Sequence, residues 1–284
     1  MSWQDSNPTY RILTAAEKGG YGVLAAIVYN VEHITALVQA AEQRRSPLTI
    51  QLFPSSLKQK PSLVFALAAA AKSASVPISV HLDHAQDYEQ IKYVASNLPF
   101  DSIMVDMSNY EKEETLAKTR TLRNYCHVRG ITVEAETGRI EGGEDGIVET
   151  GDLEGILTNP EDVEDFIAAG VDFLAPSVGN IHGDYGPNGT QLDMDRLHGV
   201  FKAIKGRVRL VLHGTNDFDA CLTQDCIKAG VTKVNVNKLV LDGWHDNLRA
   251  NATRPLTELM DTGIEILTKE MERWMDIVGS SGKA

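Results

Sequence analysis

The sequence is poor in cysteine, in positive charge and in long apolar runs, and each shortage removes a class of protein. Only Cys126, Cys221 and Cys226 occur in 284 residues, an odd number without Cys-x-x-Cys spacing. A chain this long needs no disulfide stapling, so they read as reduced, packed thiols of a cytosolic protein. Acidic residues outnumber lysine and arginine by 39 to 27, a formal charge of −12. With no Lys/Arg run and no basic patch interleaved with aromatics, neither nucleic acid nor anionic membrane is an expected partner. No run approaches the roughly 18 uninterrupted apolar residues of a membrane span. Met1 to Tyr10 is polar and lacks an apolar signal core. The expectation is a soluble, cytoplasmic protein.

What is present is an ordinary globular composition, 43% hydrophobic and 23% charged, with material for one large core. The length admits two domains or one large α/β barrel. Short β-prone runs recur at Gly22–Tyr29, Leu48–Phe53, Ile78–Leu82, Ser102–Asp106, Ile131–Glu136, Val171–Ala175, Val208–Leu212 and Lys233–Asn237. Segments of helical periodicity separate them, at Val31–Arg44, Ser62–Ser73, Asp87–Ser96, Glu113–Arg129, Pro160–Ala169, Met194–Lys205 and Thr223–Gly230. This alternation predicts a (β/α)₈ TIM barrel in one domain over residues 1–284; a doubly wound open sheet is the alternative. The near-copies Ala168-Ala169-Gly170-Val171-Asp172 and Lys228-Ala229-Gly230-Val231-Thr232 each close a helix on glycine before a strand. Trp244 to Trp274 is a helical extension beyond the barrel. Its Ile264, Leu267, Met271, Trp274 and Ile277 suit packing on the chain's own barrel or on a second subunit equally. Two segments exceed what a βα loop needs, the acidic, glycine-rich Thr137–Pro160 and the stretch Gly179–Gly189, and such loops are usually functional or disordered.

The chemistry gathers at strand ends. The run Val76–Ala85 leaves a proline as a β-prone strand and ends in Asp83 and His84. Neighbouring strand residues face opposite sides, so both can act only where the strand gives way to a loop. His84, His182 and His213 follow three different predicted strands, and in a barrel such ends converge on one face. Three imidazoles with an open fourth position are the usual arrangement of a catalytic zinc site. His81 points into the barrel as a packed or supporting group, and His33, His127, His198 and His245 receive no role. Glu134 and Glu136 share a face of the fifth strand, with Glu136 nearer its end and better placed for a metal. Asp83, beside a metal ligand, suits proton transfer at a carbon made acidic by a polarised carbonyl. Glu144, on the long loop, is a candidate second acid/base that enters when the loop closes. Lys238, at a strand end, leaves a Schiff-base mechanism to be weighed.

The phrases His81-Leu82-Asp83-His84, Val133-Glu134-Ala135-Glu136 with Gly138, Gly142-Gly143-Glu144-Asp145-Gly146, Gly179-Asn180-Ile181-His182-Gly183 with Tyr185, Leu210-Val211-Leu212-His213-Gly214 and Lys233-Val234-Asn235-Val236 carry a resemblance. In this order, with Tyr29-Asn30 and Ala40-Ala41-Glu42 before them, the chain resembles class II, metal-dependent fructose-bisphosphate and tagatose-bisphosphate aldolases over nearly its whole length. The resemblance implies zinc on His84, His182 and His213, proton transfer by Asp83, Glu136 as a metal-associated acid and Glu144 as the loop acid/base. It implies that Asn235 contacts the ketose or its enediolate, and that Asn30, Gly183, Gly214, Thr215, Asn216 and Lys238 face the substrate. A monovalent cation, Na⁺ or K⁺, near Gly183 and Gly214 and a homodimer are further implications. The implied reaction is reversible cleavage of a ketose bisphosphate, by default fructose 1,6-bisphosphate, to dihydroxyacetone phosphate and glyceraldehyde 3-phosphate. Departures from the family pattern concern the phosphate loops. His213-Gly214-Thr215-Asn216-Asp217 stands where His-Gly-Gly-Ser-Gly is usual, Asn237-Lys238-Leu239 where an aspartate, a hydroxyl residue and an acid are frequent, Gly186 where a lysine is usual, and Phe53 where a serine is. These leave open an aldolase for another ketose or ketose phosphate, or a zinc-binding pseudoenzyme.

Overall fold

The computed structural model describes residues 2–143 and 153–284. It contains the strands β1 (Val23–Ile27), β2 (Leu48–Leu52), β3 (Ile78–Ala85), β4 (Ser102–Val105), β5 (Thr132–Thr137), β6 (Glu141–Gly142), β7 (Phe173–Pro176), β8 (Ile181–His182), β9 (Arg209–Leu212) and β10 (Val231–Val236). Eight of these close into a barrel in the order β1-β10-β9-β7-β5-β4-β3-β2, while β6 and β8 form a separate two-stranded ladder. Every pairing is parallel. The predicted TIM barrel is therefore present, and the open sheet is not.

Alternation along the strands sorts the chemistry. Leu48, Ile50 and Leu52 of β2, Ile78, Val80 and Leu82 of β3 and Val133 and Ala135 of β5 join the apolar layer between barrel and helices. Their neighbours Thr49, Gln51, Ser79, His81, Asp83, Thr132, Glu134 and Glu136 are buried on the opposite side, inside the barrel. The barrel interior is thus unusually polar for a parallel sheet. Its N-terminal end is sealed by an apolar plug in which Ile12, Leu13 and Ala16 meet Val23, Met104, Phe173 and Val211.

That plug belongs to a helix, Pro8–Gly19, which the polar start of the sequence concealed. Its signals are local: Asn7 Oδ1 accepts from the Tyr10 amide, Pro8 occupies the first turn, and Gly20 ends it in the left-handed region. The C-terminal extension is two helices, Lys238–Asn251 and Leu256–Ile277, because Pro255 cannot continue the first. Leu267, Met271 and Trp274 are buried in the main core, where the second helix packs on helix Val31–Arg44. Each such side chain stabilises the fold by roughly 1.5–3 kcal/mol. These residues serve the chain's own packing.

Candidate metal centre and active site

A backbone irregularity at the end of β3 builds the site. The register of β3 against β4 shifts between Leu82 and Ala85, and His84 takes φ 46°, a left-handed conformation rare for a side chain other than glycine. The strand therefore runs on through Ala85 rather than stopping at Leu82. The extra residue turns His84 to the same opening that Asp83 faces, which a regular strand would forbid. His182 ends β8, whose ladder pairs it with Gly142. His213 directly follows β9. The ring centroids of His84 lie 4.8 Å from those of both His182 and His213, and His182 and His213 are 5.9 Å apart. One nitrogen of each lies within 4.8 Å of the others, and all three residues are buried.

Carboxylates fix which nitrogen two of the imidazoles present. His84 Nδ1 donates to Asp106 Oδ2 at 2.9 Å, and His213 Nε2 donates to Glu134 Oε1 at 2.7 Å. Burial opposes ionisation of both acids. Hydrogen bonding and positive charge from His84 hold Asp106 at about 2, and Lys233 with His213 holds Glu134 at about 2. Ionised carboxylates only accept, so each histidine must spend a proton on its acid. The atoms left facing inward, His84 Nε2 and His213 Nδ1, stand 2.9 Å apart. Two lone pairs at that distance repel unless a proton or a cation lies between them. In the metal-free chain the proton falls to His84: burial opposes it, but the charge of Asp83 and the bond to Asp106 raise His84 to about 10. His182 is the reverse case. Burial and its two histidine neighbours push its pKa well below the ordinary value, and both ring nitrogens are buried without a partner among the described residues. A neutral imidazole with free lone pairs, beside two others aimed at one point, fits a divalent metal with nitrogen preference.

Asp83 borders this point. Its Oδ2 accepts from Gln51 Nε2 and from Asn235 Nδ2, each at 3.1 Å, and its Oδ1 has no hydrogen-bond partner among the described residues. Burial would raise its pKa, but the charge of His84, with His81, His213 and Lys233, holds it well below the usual carboxylate range. His81 bonds Ser102 Oγ through Nδ1 at 2.6 Å and brings Nε2 to 3.6 Å from Asp83 and 3.8 Å from Glu134. It has the supporting place expected of it. The group His81, Asp83 and Glu134 has metal-ligand spacing, but Lys233 Nζ, 2.8 Å from Glu134 Oε2, already supplies a cation there.

Glu136 lies with His84 and Asp106 in a second buried group. Its Oε1 accepts from the Ile140 amide at 2.8 Å, while Oε2 is buried with no partner within hydrogen-bond distance among the described residues. Burial and the neighbouring Asp106 charge push it up to about 8. Asn235, Gly214, Thr215 and Asn216 line a cavity of about 10 Å³ over the three histidines, space for little more than one water or ion. The Thr215 hydroxyl donates to the Asn235 carbonyl, and Asn216 Nδ2 donates to the Gly183 carbonyl at 3.2 Å. Lys238 Nζ is 2.7 Å from Asp217 and 3.2 Å from Asp184, so its charge is already paired. Asn30 stands apart, its Oδ1 capping helix Val31–Arg44 at the His33 amide. Glu144 lies outside the described residues.

Asp106, Gln51 and Lys233 are the participants that sequence reasoning passed over. Asp106 follows β4 as His213 follows β9, and Gln51 and Lys233 are polar residues in the inward register of apolar strands. A larger cavity, about 920 Å³, sits at the opposite end of the barrel against the N-terminal helix, among Tyr10, Arg11, Lys18 and Phe100. It touches none of this chemistry, and active sites of such barrels lie at the C-terminal face.

A parallel barrel with three buried imidazoles and an aspartate gathered at one point offers a candidate metal site. The comparisons make the class specific. Residues 7–283 match the family described as fructose-bisphosphate aldolase class-II, and the chain belongs to that family. A Coccidioides immitis protein, provisionally named a fructose-bisphosphate aldolase, is 48% identical over 98% of this chain and 95% of its own. Its crystal structure superposes with a TM-score of 0.96, covering 98% of each chain. The fructose-bisphosphate aldolase of Streptococcus pneumoniae serotype 4 is 32% identical over 96% of this chain and 98% of its own. The YdjI aldolase of Escherichia coli K12 matches at TM-score 0.85 and 25% identity, over 96% of this chain and 97% of its own.

Proposed function

We propose that this protein is a zinc-dependent class II aldolase that reversibly cleaves a ketose bisphosphate, with fructose 1,6-bisphosphate as the default substrate. The observation that carries the reading is the meeting of His84, His182 and His213, each with a ring nitrogen within 4.8 Å of the others, beside the buried Asp83. His84, His182 and His213 would hold the zinc, which when bound would supply positive charge to polarise a ketose carbonyl and acidify the carbon beside it. Asp83 moves the proton during carbon–carbon cleavage and its reverse, using the unpartnered Oδ1, while Gln51 and Asn235 hold its other oxygen in place. Asn235 has a second duty, orienting the substrate oxygens. Glu136 is a neighbouring acid able to follow the ion, and Glu144 is the loop acid/base of the same reaction. Gly183 and Gly214 approach the place of a monovalent cation. The protein acts as a cytoplasmic homodimer on small sugar phosphates, and no helix among the described residues is long and apolar enough to cross a membrane.

The ion-paired Lys238 and the Thr215 hydroxyl turned onto a backbone carbonyl favour a second reading, an aldolase for another ketose or ketose phosphate. Lys238 is tied to two carboxylates at the surface, which argues against a Schiff-base role. The deciding experiment is a coupled cleavage assay on metal-stripped protein with fructose 1,6-bisphosphate, with and without zinc. Zinc-dependent turnover supports the leading reading, and full turnover without metal overturns it. Zinc binding without turnover sends the question to a panel of ketoses compared by kcat/KM, where silence throughout would indicate a pseudoenzyme.

A further inference from the structure

Lys233, on β10, is fully buried inside the barrel and is among the largest wholly enclosed side chains of the protein. A buried ammonium is costly unless paired and hydrogen-bonded. Its Nζ donates to Glu134 Oε2 at 2.8 Å, and the other oxygen of that carboxylate accepts from His213 Nε2 at 2.7 Å. One carboxylate on β5 thus divides its two oxygens between a fixed cation on β10 and an imidazole that follows β9. His213 Nδ1, the opposite ring atom, is the one directed at His84 Nε2. The ring can keep this orientation only while its acceptor keeps its own.

We propose that Lys233 is a positioning residue of the metal centre: its buried ammonium fixes the Glu134 carboxylate, which holds His213 Nδ1 toward the ion and so sets the affinity for a divalent metal. This rests on the reading of His84, His182 and His213 as metal ligands. The bland alternative is that the Lys233–Glu134 pair only stabilises the barrel. The two differ in what happens when the pair is replaced as a unit. Removing one partner of a buried pair destabilises strongly, whereas exchanging both for apolar residues is often neutral.

The test measures zinc affinity by competition with a chelator, and the melting temperature of the metal-free protein, for wild type, Lys233→Met and Lys233→Met/Glu134→Leu. Zinc affinity is expected to fall about 10- to 100-fold in both variants, the usual effect of losing a partner behind a metal ligand. The melting temperature is expected to fall in the single variant and to recover in the double one. Wild-type affinity in Lys233→Met, or recovery of affinity together with melting temperature in the double variant, overturns the proposal. Should Lys233→Met not fold, Lys233→Gln, which keeps a donor to Glu134 but not the charge, decides by the same criterion of zinc affinity. Wild-type protein that binds no zinc overturns the metal-ligand reading as well, an outcome distinct from tight binding in all three.

Discussion

His84 and Glu136 both hold a proton more firmly in the folded chain than in the unfolded one, and this fixes how the metal-free protein responds to pH. For His84, raised from 6.5 to about 10, the stabilising contribution is complete below 6.5 and is lost as pH rises through about 10. For Glu136, raised from 4.5 to about 8, it is complete below 4.5 and is lost through about 8. Asp106, lowered from 3.8 to about 2, and Glu134, lowered from 4.5 to about 2, lose theirs only as the solution becomes acid. Above pH 6.5, where His182 with its lowered pKa is neutral in both states, the metal-free melting temperature should therefore decline toward pH 8, and zinc should weaken that decline by replacing the proton on His84. A metal-free melting temperature that climbs across this interval would contradict the assignment. Asp83 separates chemistry from binding: Asp83→Asn should lower kcat by about 10²- to 10⁴-fold, the usual worth of a positioned acid/base. Zinc affinity measured on the same variant should stay within the effect of a lost neighbouring charge. Collapse of zinc binding instead would make Asp83 a ligand.

Short elements hold the site together, and they mark where the sequence could be read and where it could not. The strands and most helices follow from alternation and helical spacing, so Val31–Arg44 and Ser62–Ser73 lie where periodicity puts them. His84 and His213 were legible for the same reason, each at the end of a predicted strand, whereas His182 was read in the loop after β7 and lies on β8, which periodicity did not reveal. The β3 irregularity was not, because it depends on pairing with β4 and leaves no mark on local composition. The partners Asp106 and Lys233 were hidden likewise, since pairings with His84 and Glu134 across 22 and 99 residues arise only when the barrel closes. The β6–β8 ladder is another tertiary product, and its weak point is Gly142. This glycine sits at φ 88°, and a Cβ there would lie 2.2 Å from the His182 carbonyl oxygen. Gly142→Ala should cost about 1–3 kcal/mol of local strain and displace His182. Thermal melting would then change modestly while zinc affinity falls, an outcome measured by the same chelator competition. Unchanged zinc affinity would mean that His182 does not depend on the ladder.

The three histidines come from separate parts of the chain: barrel strand β3, strand β8 of the two-stranded ladder, and the turn after barrel strand β9. An ion bound by all three cross-links segments that separate on unfolding, and the unfolded chain has no preformed equivalent. Its binding energy should therefore enter global stability. Free zinc at about 100 times its dissociation constant adds about 2.7 kcal/mol to the folded state. For a chain of this size each kcal/mol moves the midpoint by roughly 2–4 °C, so zinc should raise the melting temperature by about 5–10 °C. His213→Ala should remove the rise, because two remaining imidazoles seldom hold zinc tightly, and it also frees the buried Glu134 carboxylate from its partner. Its own metal-free melting temperature should consequently be lower than that of wild type. Equal zinc-induced shifts in wild type and His213→Ala would locate the stabilising ion away from this centre. A shift confined to wild type would tie the ion to His213, and with it the folded barrel to its chemistry.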